Sequence, residues 1–117
     1  MRHLVKEKKF NRLRGDRISF MRNLANDVIR AGSVETTETR AKAIKPVVER
    51  LVTLATKQTL ANRRLIIRRV QNAKIAQKLY GELGPRYAER KGGYLRILKI
   101  DKSRKRDGVR MVRIEFV

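Results

Sequence analysis

The chain is predicted to fold as an α+β domain, with helices packed on a small mixed β-sheet in the order α-β-α-α-α-β-β and an extended basic N-terminal arm in front. Three observations predict this. Between residues 16 and 80, apolar residues recur three and four apart in separate stretches, the period of helices with one buried face. Residues 94–117 change to alternation around a polar loop, the pattern of paired strands. The first fifteen residues follow neither period. Since no linker, repeat or low-complexity tract interrupts residues 16–117, they read as a single domain behind an arm at 1–15. The chain of 117 residues is 41% apolar and 36% charged, enough for one modest core.

The elements follow in order. Ile18, Met21, Leu24, Ala25 and Val28 line one face of a first helix, with Asp16 expected as its N-cap and Gly32 as its left-handed stop. Val34, Thr36 and Thr37 give 33–37 the β-branched character of a strand. Thr37 or Glu38 opens a second helix with a buried stripe of Ala41, Ile44, Val48, Leu51 and Ala55, flanked by Val47 and Leu54. Pro46 either distorts that helix or begins a new one at Lys45; the stripe runs through it in phase, which favours one helix. Leu60–Val70 is a third helix, in which Leu60, Leu65 and Ile66 contrast with four arginines. Asn72 can cap a fourth helix carrying Ile75, Ala76, Leu79 and Tyr80, and Leu83-Gly84-Pro85 is expected to end it in a turn. Gly92-Gly93 precedes a strand over 94–100. A basic loop, 101–108, then leads to a strand with Val112, Ile114 and Phe116 on one face and Arg113 and Glu115 on the other.

The chemistry in these elements is narrow. There is no cysteine and one histidine, so disulfides, thiol catalysis and Cys-type zinc sites are excluded. The acids are scattered. His3, Ser19 and Ser103 have no base or orienting partner at a suggestive spacing, and Gly92-Gly93 lacks the context of a phosphate-binding loop. No catalytic residue, metal site or cofactor is expected, nor a small-molecule substrate. No apolar run has the roughly 20 residues a membrane span needs, and the basic start is not followed by an apolar signal segment. A cytoplasmic protein without a membrane partner is expected.

Charge carries the positive signal. The chain has 31 Lys and Arg against 11 Asp and Glu, a formal net charge of +20. The excess is clustered: residues 1–22, 62–78 and 86–113 are strongly basic, whereas 23–61 is nearly balanced. Clustering of this kind marks a surface that neutralises phosphates. Arg63, Arg64, Arg68 and Arg69 are the clearest case, since no acid lies between Glu49 and Glu82. Two short adjacent helices, one rich in arginine, leave a DNA-binding regulator or architectural protein as the alternative. Base-reading helices, however, usually mix Asn, Gln and Ser with Arg. A long arm that cannot order itself suits the clefts of folded RNA.

Several runs in order resemble one family. Met1-Arg2-His3 opens the chain as that family does, and Asn11-Arg12 with Arg17 is similar to its Asn-Arg-x-Ser-Ser-His-Arg motif. Arg22-Asn23 fits its first helix, Thr36-Thr37 and Ala41-Lys42 fall in its Thr-Thr-x-x-Lys-Ala-Lys segment, and Arg63-Arg64-Leu65 fits its third helix. Leu83 with Pro85-Arg86-Tyr87, then Gly92-Gly93-Tyr94 with Arg96-Ile97-Leu98-Lys99, and finally Ile114-Glu115-Phe116-Val117, complete the likeness. The chain thus resembles the bacterial large-subunit ribosomal protein L-seventeen family along nearly all its length. It departs at Arg14-Gly15-Asp16, where Ser-Ser-His is usual, at Leu95 for Thr and at Arg40 for Lys.

The resemblance implies a structural constituent of the 50S subunit that binds 23S rRNA near the nascent-chain exit region. It also implies large-subunit proteins L-thirty-two and L-twenty-two as neighbours. Charge and resemblance together assign rRNA contact in the arm to Arg2, His3, Lys6, Lys8, Lys9, Asn11, Arg12 and Arg14. In the first helix they assign it to Arg17 and Arg22, and in the third to the four arginines named above. Further on they assign Arg86, Arg96 and the loop residues Arg104, Lys105 and Arg106.

Overall fold

A computed structural model of the chain describes residues 9–117. Arg2, His3, Lys6 and Lys8, and with them most of the arm, lie outside the described residues. The elements are α1 (Arg14–Ala31), β1 (Ser33–Thr37), α2 (Glu38–Thr56), α3 (Leu60–Val70), α4 (Ala73–Lys78), a π-helical turn (Leu79–Leu83), α5 (Gly84–Arg86), β2 (Leu95–Ser103) and β3 (Arg110–Phe116).

The sheet is antiparallel throughout rather than mixed, with spatial order β1-β3-β2. The topology explains the difference. A parallel pair needs a crossover, but here β2 and β3 form a hairpin and β1 adds to the far side of β3. Thr36 pairs with Val112, Val34 with Ile114, and Ile97 also with Ile114, so one face collects the apolar side chains. Glu35 opposite Arg113, and Arg96 opposite Glu115, occupy the other face. A β-bulge after Lys99 lets β2 continue to Ser103, so Asp101 and Lys102 belong to the strand and not to the loop.

α2 runs through the middle of the molecule. Its stripe of Ala41, Ile44, Val48, Leu51 and Ala55 is buried, together with Val52. Thr37 caps it by accepting a hydrogen bond from the Arg40 N–H, and Pro46 lies inside it without ending it. Its surroundings complete the core: Ala25, Val28 and Ile29 of α1, Ile66 and Val70 of α3, Leu79 and Leu83, and Val112 and Ile114 of β3.

α1 begins at Arg14, and its N-cap is Leu13, not Asp16. Asp16 lies in the first turn, where a carboxylate favours the helix through the dipole without capping it. Ile18, expected on the buried face, is 51% exposed because the first half of α1 extends past the core. Gly32 ends the helix at φ 80°, its N–H bonded to the Val28 carbonyl. Asn72 caps α4 by accepting from the Lys74 and Ile75 N–H groups at 3.0 and 3.2 Å.

The Leu83-Gly84-Pro85 turn is replaced by continued helix, through the π-helical turn into α5. Gly84 permits this by its size. A Cβ there would sit 2.3 Å from the Ala55 carbonyl oxygen, so only glycine lets this segment rest on α2. Gly92 and Gly93 take positive φ values of 85° and 63° and deliver the chain to Tyr94, which is buried just ahead of β2. The Tyr94 N–H donates to Glu49 Oε2 at 2.9 Å and its hydroxyl donates to the Arg90 carbonyl, tying the sheet to α2.

Candidate nucleic-acid interface

The outer side of α1, the first half of α2 and the end of α3 enclose a cleft of about 1140 Å³. Its apolar lining includes Ile18, Met21, Pro46, Val47 and Leu51, with Phe10 at the arm end. Its cations are Arg14, Arg17 and Arg22 from α1, Lys42 and Arg50 from α2, and Arg68 and Arg69 from α3. None of the described residues lining it is acidic. Lys42 shares its charge with Glu38 at 3.0 Å, and this ammonium holds the Glu38 carboxyl below its ordinary value. Arg14, Arg50, Arg68 and Arg69 have no carboxylate partner among the described residues.

The fold creates this concentration. Asn26, only 7% exposed, donates from Nδ2 to the Val70 carbonyl at 3.1 Å and so ties α1 to the end of α3. That bond brings Arg22 and Arg69 to the same opening, although 46 residues of chain lie between them. Asn26 Oδ1 is buried with no hydrogen-bond partner among the described residues. The nearly balanced charge of residues 23–61 gives no reason in the sequence to assign Lys42 and Arg50 to an RNA contact. The available signal was a second helical stripe beside the apolar one, Thr39, Lys42, Ala43, Pro46 and Arg50, at spacings of three and four.

The four arginines of α3 divide between two places. Arg68 and Arg69 reach the cleft, while the Arg63 guanidinium lies 5.2 Å from the Tyr80 ring centroid and Arg64 is exposed. In the described part of the arm, Lys9 and Asn11 are exposed, and the Arg12 N–H closes a turn on the Lys9 carbonyl. The Arg12 guanidinium stacks on Phe20 at 4.2 Å, and Phe10 meets the same ring at 5.3 Å.

The remaining candidates lie away from the cleft. Arg86 stacks on Tyr87 and donates to the Val117 carbonyl at 3.2 Å. Arg96 is paired with Glu115 at 2.8 Å on the outer face of the sheet. At the hairpin tip, Arg104 Nε donates to Asp107 Oδ1 at 3.1 Å, and this bond lowers the Asp107 pKa. Arg104 thus closes the loop, leaving Lys105 and Arg106 as its exposed cations without a carboxylate partner among the described residues. No group of three metal-ligating side chains occurs among the described residues, and no helix there is long and apolar enough to cross a membrane.

The family model for ribosomal protein L17 matches residues 20–117. A large ribosomal subunit protein bL17 from Persephonella marina is 50% identical over the whole chain and 95% of its own length. Proteins of the same name from Gemmatimonas aurantiaca and Thermus thermophilus are 45% and 38% identical, again over the whole chain, with 98% and 99% of their own lengths covered. The family match runs from inside α1 to the last residue and takes in the α2 and α3 walls of the cleft, the relatives match along the whole chain, and the chain belongs to the ribosomal protein L17 family.

Proposed function

We propose that the protein is a structural constituent of the large ribosomal subunit, held in the ribosome by 23S rRNA through the cleft and the hairpin tip. The observation that carries the RNA reading is the cleft: seven cations from three helices meet around one opening with no acidic lining residue among those described. Cations so placed exchange condensed counterions for phosphates, which gives strong, salt-sensitive affinity. The core orients these cations and performs no chemistry. In the same reading the basic arm, residues 1–14, threads along rRNA. The site in the subunit is near the nascent-chain exit region, with large-subunit proteins L-thirty-two and L-twenty-two beside it.

The test is whether the protein sediments with 50S particles in moderate salt and whether an rRNA fragment outcompetes duplex DNA at fixed salt. Co-sedimentation with preference for rRNA is expected. Preference for a defined DNA duplex would replace this reading with a DNA-binding one. Deleting residues 2–9 is expected to weaken incorporation into large subunits; unchanged incorporation would remove the role given to the arm.

A further inference from the structure

Resting on the rRNA-binding reading, we propose that the cleft receives an unpaired nucleotide, with its base against the apolar lining beside Phe10 and its flanking phosphates on the arginine rim. Phosphate docking alone needs cations and no cavity. Here the cations surround an apolar recess lined by Ile18, Met21, Pro46 and Val47. At about 1140 Å³ it is at least as roomy as the pockets of about 300–1,000 Å³ that enclose small organic ligands. An unstacked nucleotide matches this division, with an apolar face on its base and charge at either side.

The aromatic lining residue is held in place at some conformational expense. Phe10 and Asn11 have φ of 53° and 54°, a left-handed conformation that residues with a Cβ seldom take. The Phe10–Phe20 contact and the Arg12–Lys9 hydrogen bond maintain it. Phe20 itself is engaged, with the Arg12 and Arg40 guanidinium groups 4.2 and 5.2 Å from its centroid. Phe10 is therefore the ring that lines the cleft.

Asn26 supplies an independent indication. It lines the same cleft, its Nδ2 is committed to Val70, and its buried Oδ1 lacks a partner among the described residues. Phosphate oxygens only accept hydrogen bonds and cannot satisfy it. The exocyclic amine of a base or a ribose hydroxyl can, after a small outward shift of the side chains that cover it.

The experiment uses the full chain and two RNA hairpins, identical except that one carries a single bulged 2-aminopurine. The bulged hairpin should bind more tightly at fixed salt, and the probe's fluorescence should change on binding. Stacking is worth roughly 5- to 150-fold per base in comparable proteins. Phe10→Leu should bring the two affinities close together, and Phe10→Tyr should restore the preference. Ile18→Ala, at a half-exposed position, should reduce the preference in the same direction. Equal, salt-sensitive binding of both hairpins by the parent would overturn the base pocket and leave the rRNA reading standing. So would a preference untouched by Phe10→Leu and Ile18→Ala. Salt-insensitive binding of both, or none, would overturn the pocket and the rRNA reading together.

Discussion

Replacing Arg50, Arg68 and Arg69 together with Gln should change how rRNA binding responds to salt. All three are exposed and line the cleft, so the substitutions remove charge without opening a cavity. Six arginines line the cleft in all: Arg14, Arg17, Arg22, Arg50, Arg68 and Arg69. With an rRNA fragment that reaches only the cleft, each arginine meeting one phosphate and Lys42 staying with Glu38, the slope of log K against log salt is about −4 to −5, at roughly 0.7 to 0.9 per contact. Raising salt from about 50 to 200 mM then weakens the parent by roughly 300- to 2,000-fold. The triple variant keeps half the contacts and should lose only roughly 20- to 40-fold over the same range. Fluorescence anisotropy on a labelled 23S rRNA fragment, repeated at four salt concentrations, measures both slopes. Parallel slopes with a uniformly weaker variant would refute the reasoning, because the arginines would then act through the fold and not through phosphates.

Three further outcomes follow from the packing and the charge pairs. Gly84→Ala should destabilise the protein by about 2–4 kcal/mol, from overpacking against the Ala55 carbonyl and loss of the 2.7 Å bond that Gln58 Nε2 donates to it; an unchanged urea midpoint would contradict this. Asn72→Ala should cost about 1 kcal/mol by uncapping α4, read in the same titration. Glu35 accepts hydrogen bonds from Lys102 and Arg113, and these, Lys102 first, hold its pKa below the ordinary 4.5. A depressed folded value means that its stabilisation is complete above pH 4.5 and is lost as pH falls through the folded pKa. Glu35→Gln should therefore make the acid limb of thermal stability shallower. Glu38 and Asp107, lowered by Lys42 and Arg104, would still contribute to that limb. Identical acid limbs in parent and variant would exclude the effect.

The parts of the fold legible in the sequence are those decided locally. The α2 stripe is periodic enough that a proline within it does not obscure it, and every residue assigned to it is buried. β1, α3 and the Asn72 cap follow from β-branching, periodicity and side-chain hydrogen bonding within a few residues. What was not legible depends on distant partners. Gly-Pro reads as a turn, yet the helix continues at Gly84 because α2 passes too close for any Cβ. Asn26 looks like a surface residue until Val70 arrives to bond it. The cleft is the same problem on a larger scale. Its arginines were visible one cluster at a time, but their meeting, and the part played by Lys42 and Arg50, needed the crossing of three helices.

That crossing also has an energetic consequence. Gathering like charges around one opening raises the energy of the folded state relative to the unfolded chain, where the same cations are far apart. The cleft is thus a place where binding capacity works against stability, as active sites often do. An anion that binds only the folded form should reverse the effect by mass action. Sulfate or an rRNA fragment is therefore expected to raise the melting temperature of the parent, and to raise it less in the Arg50, Arg68 and Arg69 triple variant. In low salt without RNA, the variant is expected to melt above the parent, because it retains the core and loses the repulsion. A variant that melts lower under those conditions would show that the three arginines support the fold through their aliphatic stems. Repulsion would then not be the force that makes the cleft await a polyanion.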